Sequence, residues 1–343
     1  MLFFKADSDQ DRLKQNKYLP MNNLTIVMYH YVRELKNSRY PDIKGLDIVL
    51  FKEQIDYLRK HYHIITIEEV IYSVDNQIKI PNKSVLLTFD DGYLDHYYNV
   101  FPILDKYKLQ GSFYVPAKAI TENTVLDVNK IHFILASVED KLDLVNDLKD
   151  LVKVYKKEYQ LKDFDYYYNK LAQANRLDTK DVVFIKRLLQ VELVEELRIN
   201  IVGTLFKKYI GISEDAFSRE LYMNESQLKQ MLQSGMHIGN HGYNHYWWNI
   251  LDKQEMSNEL DLSINFLENL GVDMNNWTAC YPYGAYDEQC IKMLEERGCK
   301  LAFTTEVDIA TTNKNTRFTM PRLDANDIPK NRSERTNDWY SKG

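Results

Sequence analysis

Hydrophobic positions along this chain follow two rhythms. Short apolar runs rich in β-branched residues alternate with longer segments whose apolar residues recur every three to four positions. Leu24 to Met28, Ile64 to Thr66, Ser84 to Phe89, Gly111 to Val115, Gly235 to Gly239, Trp277 to Tyr281, Leu301 to Thr305 and Phe318 to Arg322 read as strands. Each is too short and too continuous for an amphipathic helix. Between them, Phe51 to His61 carries Phe51, Ile55 and Leu58 on one helical face. Tyr97 to Tyr107 reads as a helix with Pro102 in its first turn or at a kink, and Met256 to Leu270 as a long amphipathic helix. Ile291 starts another that stops at Gly298. Thr66-Ile67-Glu68-Glu69 has the pattern of a capped helix start. This alternation predicts an α/β fold with a parallel sheet closed into a barrel.

From about Thr121 to Met223 the strand rhythm disappears. Lys130 to Leu135, Leu142 to Tyr155, Val182 to Leu189 and Val191 to Tyr209 all have helical spacing. The organisation read from the sequence is an N-terminal arm over 1–22, a barrel over 23–120 and 224–328, a helical insertion over 121–223 and a mobile polar tail over 329–343. The tyrosines Tyr166, Tyr167 and Tyr168 in the insertion suit either helix packing or stacking on sugars. No internal repeat and no low-complexity segment interrupts the pattern.

The strand from Ser84 ends in Asp90-Asp91-Gly92. Two adjacent acids at the end of a buried strand raise each other's pKa, and burial raises both. A metal ion binding one carboxylate would relieve that cost and leave the other free as a base; a solvated turn is the plainer reading. A second stretch, Gly239-Asn240-His241-Gly242-Tyr243-Asn244-His245, holds two histidines four apart, a spacing that on one helical turn lets both grip one metal. One carboxylate and two imidazoles make a three-ligand set with positions left open, as catalytic zinc sites require.

Thr88-Phe89-Asp90-Asp91-Gly92, His241-Gly242-Tyr243-Asn244-His245 and Tyr281-Pro282-Tyr283-Gly284, in that order, resemble the polysaccharide deacetylase family, the NodB-homology domain of carbohydrate esterase family 4. The resemblance runs from about Leu24 to Asp327, interrupted by the long insertion. It implies a distorted (β/α) barrel with its motifs at the C-terminal ends of the strands. It also implies a metal-dependent hydrolase that removes N-acetyl groups from an amino sugar in a polysaccharide or glycan precursor. Asp91, His241 and His245 then match the metal ligands. Asp90 matches the base that takes a proton from the water activated by the metal; the alternative is a partner that merely orients a ligand. The backbone N–H of Tyr283 matches the oxyanion donor, and Tyr281, Pro282 and Tyr283 match the lining of the substrate groove. The cofactor implied is a divalent metal, zinc before cobalt, nickel or iron, all of which suit an Asp/His/His set.

Two departures from the family pattern stand out. Many members place an arginine before the Pro-Tyr-Gly element to hold the base; here that region reads Ala279-Cys280-Tyr281. Arg322 could supply the guanidinium from a later strand, or could form an ordinary ion pair. The late Leu-x-His, whose histidine acts as general acid, is absent, and Asp338-Trp339 only mimics another family element. His30, at the end of the first barrel strand, is the substitute by position, with a structural histidine as the alternative; His96 and His132 stand behind it. The long insertion and the missing acid histidine leave room for a deformylase or amidase acting on another modified sugar; a catalytically degenerate carbohydrate-binding domain is the third reading, against which the intact ligand set and base stand.

Composition adds limits. The net charge of −6 offers no basic excess for phosphates, so the expected partner is an N-acetylated carbohydrate and not a nucleic acid. No run has the length of a membrane span, and Met1 to Pro20 lacks the apolar centre of a signal peptide, so a cytoplasmic or membrane-peripheral location is expected. The three cysteines, Cys280, Cys290 and Cys299, match no zinc spacing and suit buried reduced thiols. The oligomeric state is not legible.

Overall fold

The computed structural model describes residues 22–175 and 178–343. The N-terminal arm expected over residues 1–22 thus lies outside the described residues, except for Asn22.

The barrel strands are β1 (Asn23–Tyr29), β2 (His63–Ile64), β3 (Ser84–Asp90), β4 (Ser112–Val115), β5 (His237–Asn240), β6 (Ala279–Cys280), β7 (Ala302–Phe303), β8 (Ala310–Thr311) and β9 (Leu323–Asp324). They form one sheet in the order β8-β1-β3-β4-β5-β6-β7, with β9 pairing β1 and β2 pairing β3. Every pairing is parallel except β1 with β8. The last stave is the segment Met320–Asp324. Met320 bridges Phe303 on one side, and Leu323 and Asp324 pair with Val27 and Met28 on the other. This joins the two sides of the curled sheet and carries Arg322 into the wall.

Period-2 alternation decides which residues face the lumen. In β3, Val85, Leu87 and Phe89 pack outward under the helices, while Leu86 joins Leu24, Ile26, Tyr114, Cys280, Phe303 and Met320 in a second cluster. Thr88 and Asp90 continue the inward face, so the carboxylate arrives at the C-terminal mouth. Gly239 is required here: a Cβ would strike the Tyr114 ring on the neighbouring strand.

The helices expected beside the strands are present. Ile48–His61 buries Phe51, Ile55 and Leu58, and Ile67–Asn76 opens on a Thr66/Glu69 capping box. Pro102 sits in the first turn of Phe101–Tyr107. Between β4 and β5 the described residues form helices joined by loops, with no strand of the sheet among them: Ala117–Thr121, Asp127–Ser137, Lys141–Tyr155, Phe164–Leu171, Lys180–Arg187 continuing through Glu192, Glu195–Tyr209, Glu214–Leu221 and Glu225–Gln233. The break at Leu193–Val194 splits the helix that the spacing ran together from Val191. Tyr167 is buried and Tyr166 exposed, so the tyrosine trio serves mainly packing. The C-terminal stretch expected as mobile instead ends in a short helix, Asp338–Lys342. Trp339 and Tyr340 pack on the core, and Lys83 Nζ donates to the Tyr340 carbonyl at 2.6 Å. Two aromatic side chains in a polar tail were the overlooked signal.

Candidate active site at the barrel mouth

Asp90 ends β3 with its side chain in the lumen. The Arg322 guanidinium holds both its oxygens in a fork, at 2.9 and 2.7 Å. Arg322 is wholly buried; its remaining donors reach the Thr304 carbonyl at 2.9 Å and the Thr88 hydroxyl at 3.2 Å. Burial pushes the Asp90 carboxyl up, but the Arg322 charge, with His241 and His30 beyond it, outweighs burial and holds the pKa at about 2. Asp90 is therefore ionised across the neutral range.

Asp91 follows in the left-handed region, at φ 73°, which turns its side chain away from that of Asp90. Its Oδ2 accepts the Tyr93 hydroxyl, while its buried Oδ1 has no hydrogen-bond partner and lies 3.4 Å from Nε2 of both His241 and His245. The two Nε2 atoms are 3.2 Å apart.

The histidines do not share a helical turn, as their spacing suggested. They lie in the loop after β5, bent by left-handed Gly242 (φ 77°) and His245 (φ 60°). The loop is held from behind by the helix Lys253–Leu270. Buried Glu259 accepts the N–H groups of Tyr243 and Asn244, both at 3.0 Å, and Asn240 accepts the Gly242 N–H at 2.7 Å. Glu259 was missed from the sequence, although a carboxylate on the apolar face shared by Met256, Leu260 and Ser263 was a readable anomaly. His241 Nδ1 donates to the Cys280 carbonyl at 2.9 Å, which leaves the lone pair on Nε2. Burial lowers the His241 pKa, but Asp91 and Asp90 together outweigh it and raise it. Burial, with His241 beside it, pushes His245 down to about 3.

Three donor atoms spaced 3.2–3.4 Å apart fit a single small ion. Two ligands at ~2.1 Å from a tetrahedral zinc are about 3.4 Å from each other. The carboxylate oxygen has no hydrogen bond, and both buried imidazole Nε2 atoms converge on it. The residues present therefore fit the divalent metal expected from the sequence.

Tyr283 also takes a left-handed conformation, at φ 58°. Its ring stacks on Trp247 at 4.5 Å and meets the His245 ring edge-on at 4.7 Å. Tyr281, expected in the groove, is not there. It is fully buried on the outer side of β6 against Trp248 and Tyr286, with its hydroxyl donating to the Phe318 carbonyl at 2.9 Å. Strand alternation sends it outward with Trp277 and Ala279, while Cys280 faces the lumen. Pro282 is buried and packs within 3.5 Å of where a Gly242 Cβ would be, bracing the two loops.

His30 follows β1, is half-buried, and lies close enough to act electrostatically on both Asp90 and Asp91. Its carbonyl accepts His96 Nε2 at 2.8 Å, so His96, fully buried, supports the His30 backbone. His132 lies on Asp127–Ser137, with Nδ1 3.4 Å from the Tyr31 hydroxyl. A cavity of about 500 Å³ runs beside His245, Trp247 and Tyr283, walled opposite by Asp127, Lys130 and Arg198 from the helices between β4 and β5. Among the described residues no helix is long and apolar enough to cross a membrane.

Fold and mouth together define a (β/α) barrel of the NodB type, with an Asp-His-His cluster beside an arginine-clamped aspartate. The family model described as polysaccharide deacetylase matches residues 77–159 and 199–302, more than half of the chain, which therefore belongs to that family. The unmatched gap, 160–198, is narrower than the insertion expected over 121–223, since 121–159 and 199–223 fall within the matched residues. The poly-beta-1,6-N-acetyl-D-glucosamine N-deacetylase of Staphylococcus aureus is 30% identical over 137 residues, covering 37% of this chain and 47% of that relative. The alignment thus spans less than half of that relative's length. The solved deacetylase PplD of Streptococcus pyogenes, in complex with acetate, superposes with a TM-score of 0.55 at 18% identity, covering 89% of this chain and 92% of the other. IcaB from Ammonifex degensii gives 0.53 at 19% identity, with 94% and 95% covered. At these identities the structural likeness bears on the fold.

Proposed function

We propose that this chain is a metal-dependent N-deacetylase acting on an N-acetylated amino-sugar polymer or its precursor. The observation that carries the reading is the buried Asp91 Oδ1, unpartnered and 3.4 Å from two imidazole nitrogens, next to an aspartate held ionised by Arg322. The name of the Staphylococcus aureus relative supports a β-1,6-linked N-acetylglucosamine polymer as the first substrate to try. Residues 23–120 and 224–328 carry the chemistry in this reading, and 121–223 supplies a groove wall.

Asp91, His241 and His245 would hold the ion. When bound, a divalent ion lowers the pKa of water toward neutrality and polarises a carbonyl. Asp90 takes a proton from the attacking water; Arg322 orients its carboxylate through the two fork contacts. As the water oxygen bonds to the acyl carbon, the carbonyl oxygen gains negative charge, which the Tyr283 backbone N–H stabilises. His30 delivers a proton to the nitrogen as the C–N bond breaks, giving acetate and the free amine. The Trp247–Tyr283 stack presents an aromatic edge along the groove where a sugar face can lie.

The test is acetate release from N-acetylglucosamine oligomers by wild type and Asp90→Asn, with chelator and with zinc restored. Release that needs metal and vanishes in Asp90→Asn, while that variant stays folded and binds zinc, is the expected result. Zinc bound without acetate release, but with release of formate or another acyl group from a modified sugar, would move the reading to a deformylase or amidase. No zinc bound by the wild type would overturn it.

A further inference from the structure

The groups behind Asp91 form a chain of buried hydrogen bonds whose every proton has one consistent direction. The Leu126 N–H donates to the Tyr222 hydroxyl oxygen at 3.1 Å. Tyr222 in turn donates to Asn129 Oδ1. With its oxygen side so fixed, the Asn129 amide points Nδ2 at the hydroxyl oxygens of Tyr93, 2.7 Å, and Tyr31, 3.0 Å. The Tyr93 oxygen is thus occupied as an acceptor, and its single proton goes to Asp91 Oδ2. The chain begins on a backbone amide and ends on a carboxylate. Asn129 and Tyr93 are fully buried, and Tyr222 and Tyr31 nearly so.

Three of these residues come from the helical stretch between β4 and β5: Leu126 and Asn129, at the start of and on Asp127–Ser137, and Tyr222 just after Glu214–Leu221. The backbone repeats the connection, since Tyr222 bridges Tyr93 and the Met223 N–H donates to the Gly92 carbonyl at 3.0 Å. A carboxylate with both oxygens free can take two coordination positions on one ion. With Oδ2 occupied by Tyr93, Asp91 has one oxygen to give.

We infer that the helical stretch between β4 and β5, through Asn129 acting on Tyr93, holds Asp91 as a one-oxygen metal ligand and so keeps coordination positions open for reactants. Asn129 and Tyr93 are positioning residues in this account, which rests on Asp91 being a metal ligand. Outer partners of metal ligands typically set affinity by ~10–100-fold.

The experiment measures zinc affinity by competition with a chromophoric chelator for wild type, Tyr93→Phe and Asn129→Leu, with Tyr29→Phe as control. The Tyr29 hydroxyl is buried without a partner and lies off the chain. Tyr93→Phe and Asn129→Leu are expected to bind zinc ~10–100-fold more weakly than wild type, and Tyr29→Phe to match it. Cobalt-loaded Tyr93→Phe is expected to show weaker visible bands than wild type, as the freed oxygen raises the coordination number. Wild type that binds no zinc would overturn the metal reading itself. Wild type that binds, with Tyr93→Phe within twofold of it and with the same cobalt spectrum, would overturn this inference and leave the metal site standing. If Asn129→Leu does not fold, Tyr93→Phe, which removes one oxygen and keeps the ring stacked on Tyr31 at 4.1 Å, decides alone.

Discussion

Removing the Arg322 guanidinium should make the stability of this protein depend on pH in a direction opposite to that of the wild type. In the wild type Asp90 is held at about 2 against an ordinary 3.8. A downward shift of that size corresponds to ~2 kcal/mol of folding stability. The sign follows from linkage: a depressed carboxyl stabilises the fold above its unfolded pKa, and the contribution is lost as pH falls through about 2. In Arg322→Met the burial of Asp90 remains and its main countercharge is gone. Its pKa then rises above the ordinary value, and the ionised form opposes folding at neutral pH. Breaking a buried pair by removing one partner typically costs about 3–5 kcal/mol. The lost contacts to Thr304 and Thr88 fall within that range.

Urea unfolding of metal-free wild type and Arg322→Met at pH 7 and pH 4.5 reads this directly. The gap between them should be about 3–5 kcal/mol at pH 7 and should shrink by at least ~1 kcal/mol at pH 4.5, because protonation relieves the variant first. Contributions from the histidines largely cancel in the difference. The double variant Asp90→Asn/Arg322→Met should lose less than the sum of the single losses, since neither charge is left alone in the wall. A gap equal at both pH values, with additive single losses, would refute the electrostatic account and reduce Arg322 to a packing residue. The acid limb of kcat/KM should also move toward neutrality in Arg322→Met.

Three further outcomes test other parts of the site. Tyr281→Phe should lose about 1 kcal/mol of stability, the net worth of its bond to Phe318, and leave KM for sugar oligomers unchanged; a raised KM would return Tyr281 to the groove. Gly284→Ala would drive a Cβ into Thr305 at a φ of 71°, so the Tyr283 loop must shift; kcat should fall at least ~10-fold while zinc affinity stays at the wild-type value. The three cysteines are buried and free, with Cys290 pushed up to about 12 by burial, so Ellman's reagent should find no fast thiol in the native protein and all three after denaturation.

Much of the site was written in local sequence. The run from Ser84 to Asp90 is a strand because it is short, apolar and β-branched, and its end delivers a carboxylate to the mouth. Arg322 could be named because the family resemblance calls for a guanidinium beside the base and the Ala279-Cys280-Tyr281 region lacks one, with an ordinary ion pair as the equal alternative. What escaped was direction. His241 and His245 were placed on a helix because a histidine at a φ of 60° has no signature of its own; glycine would have announced such a turn. Tyr281 was assigned by motif when alternation along Trp277–Tyr281 already pointed it outward. The chain from Leu126 through Tyr222, Asn129 and Tyr93 joins residues up to about a hundred positions apart, and no periodicity within one element can expose it.

The two adjacent acids pose the physical problem that this architecture answers. Asp90 and Asp91 carry like charges on consecutive residues, both buried, an arrangement that raises carboxyl pKa values and favours protonation. The left-handed turn at Asp91 separates them into different surroundings. Asp90 faces a cation built into the wall, Arg322, whose place in the last stave depends on the barrel curling back to β1. Asp91 faces two imidazoles, one fixed with its lone pair inward by the Cys280 carbonyl, and a hydroxyl that occupies one oxygen. The first acid is therefore compensated by the chain itself and stays available as a proton acceptor. The second is held by the imidazoles and the hydroxyl; burial pushes its carboxyl up, but the imidazoles outweigh burial and keep it well below the usual range, and one of its oxygens is left without a hydrogen bond. Conformations like those of Asp91, His245 and Tyr283 typically cost about 1–3 kcal/mol each. All three occur on the residues that turn the motif loops into the mouth, and surrounding packing must offset them. Among the described residues five other non-glycine positions, Gln77, Lys83, Lys108, Asn123 and Gln160, share that conformation outside the motifs, yet each of the three motifs carries one such residue, and there it is what aims the chain into the mouth.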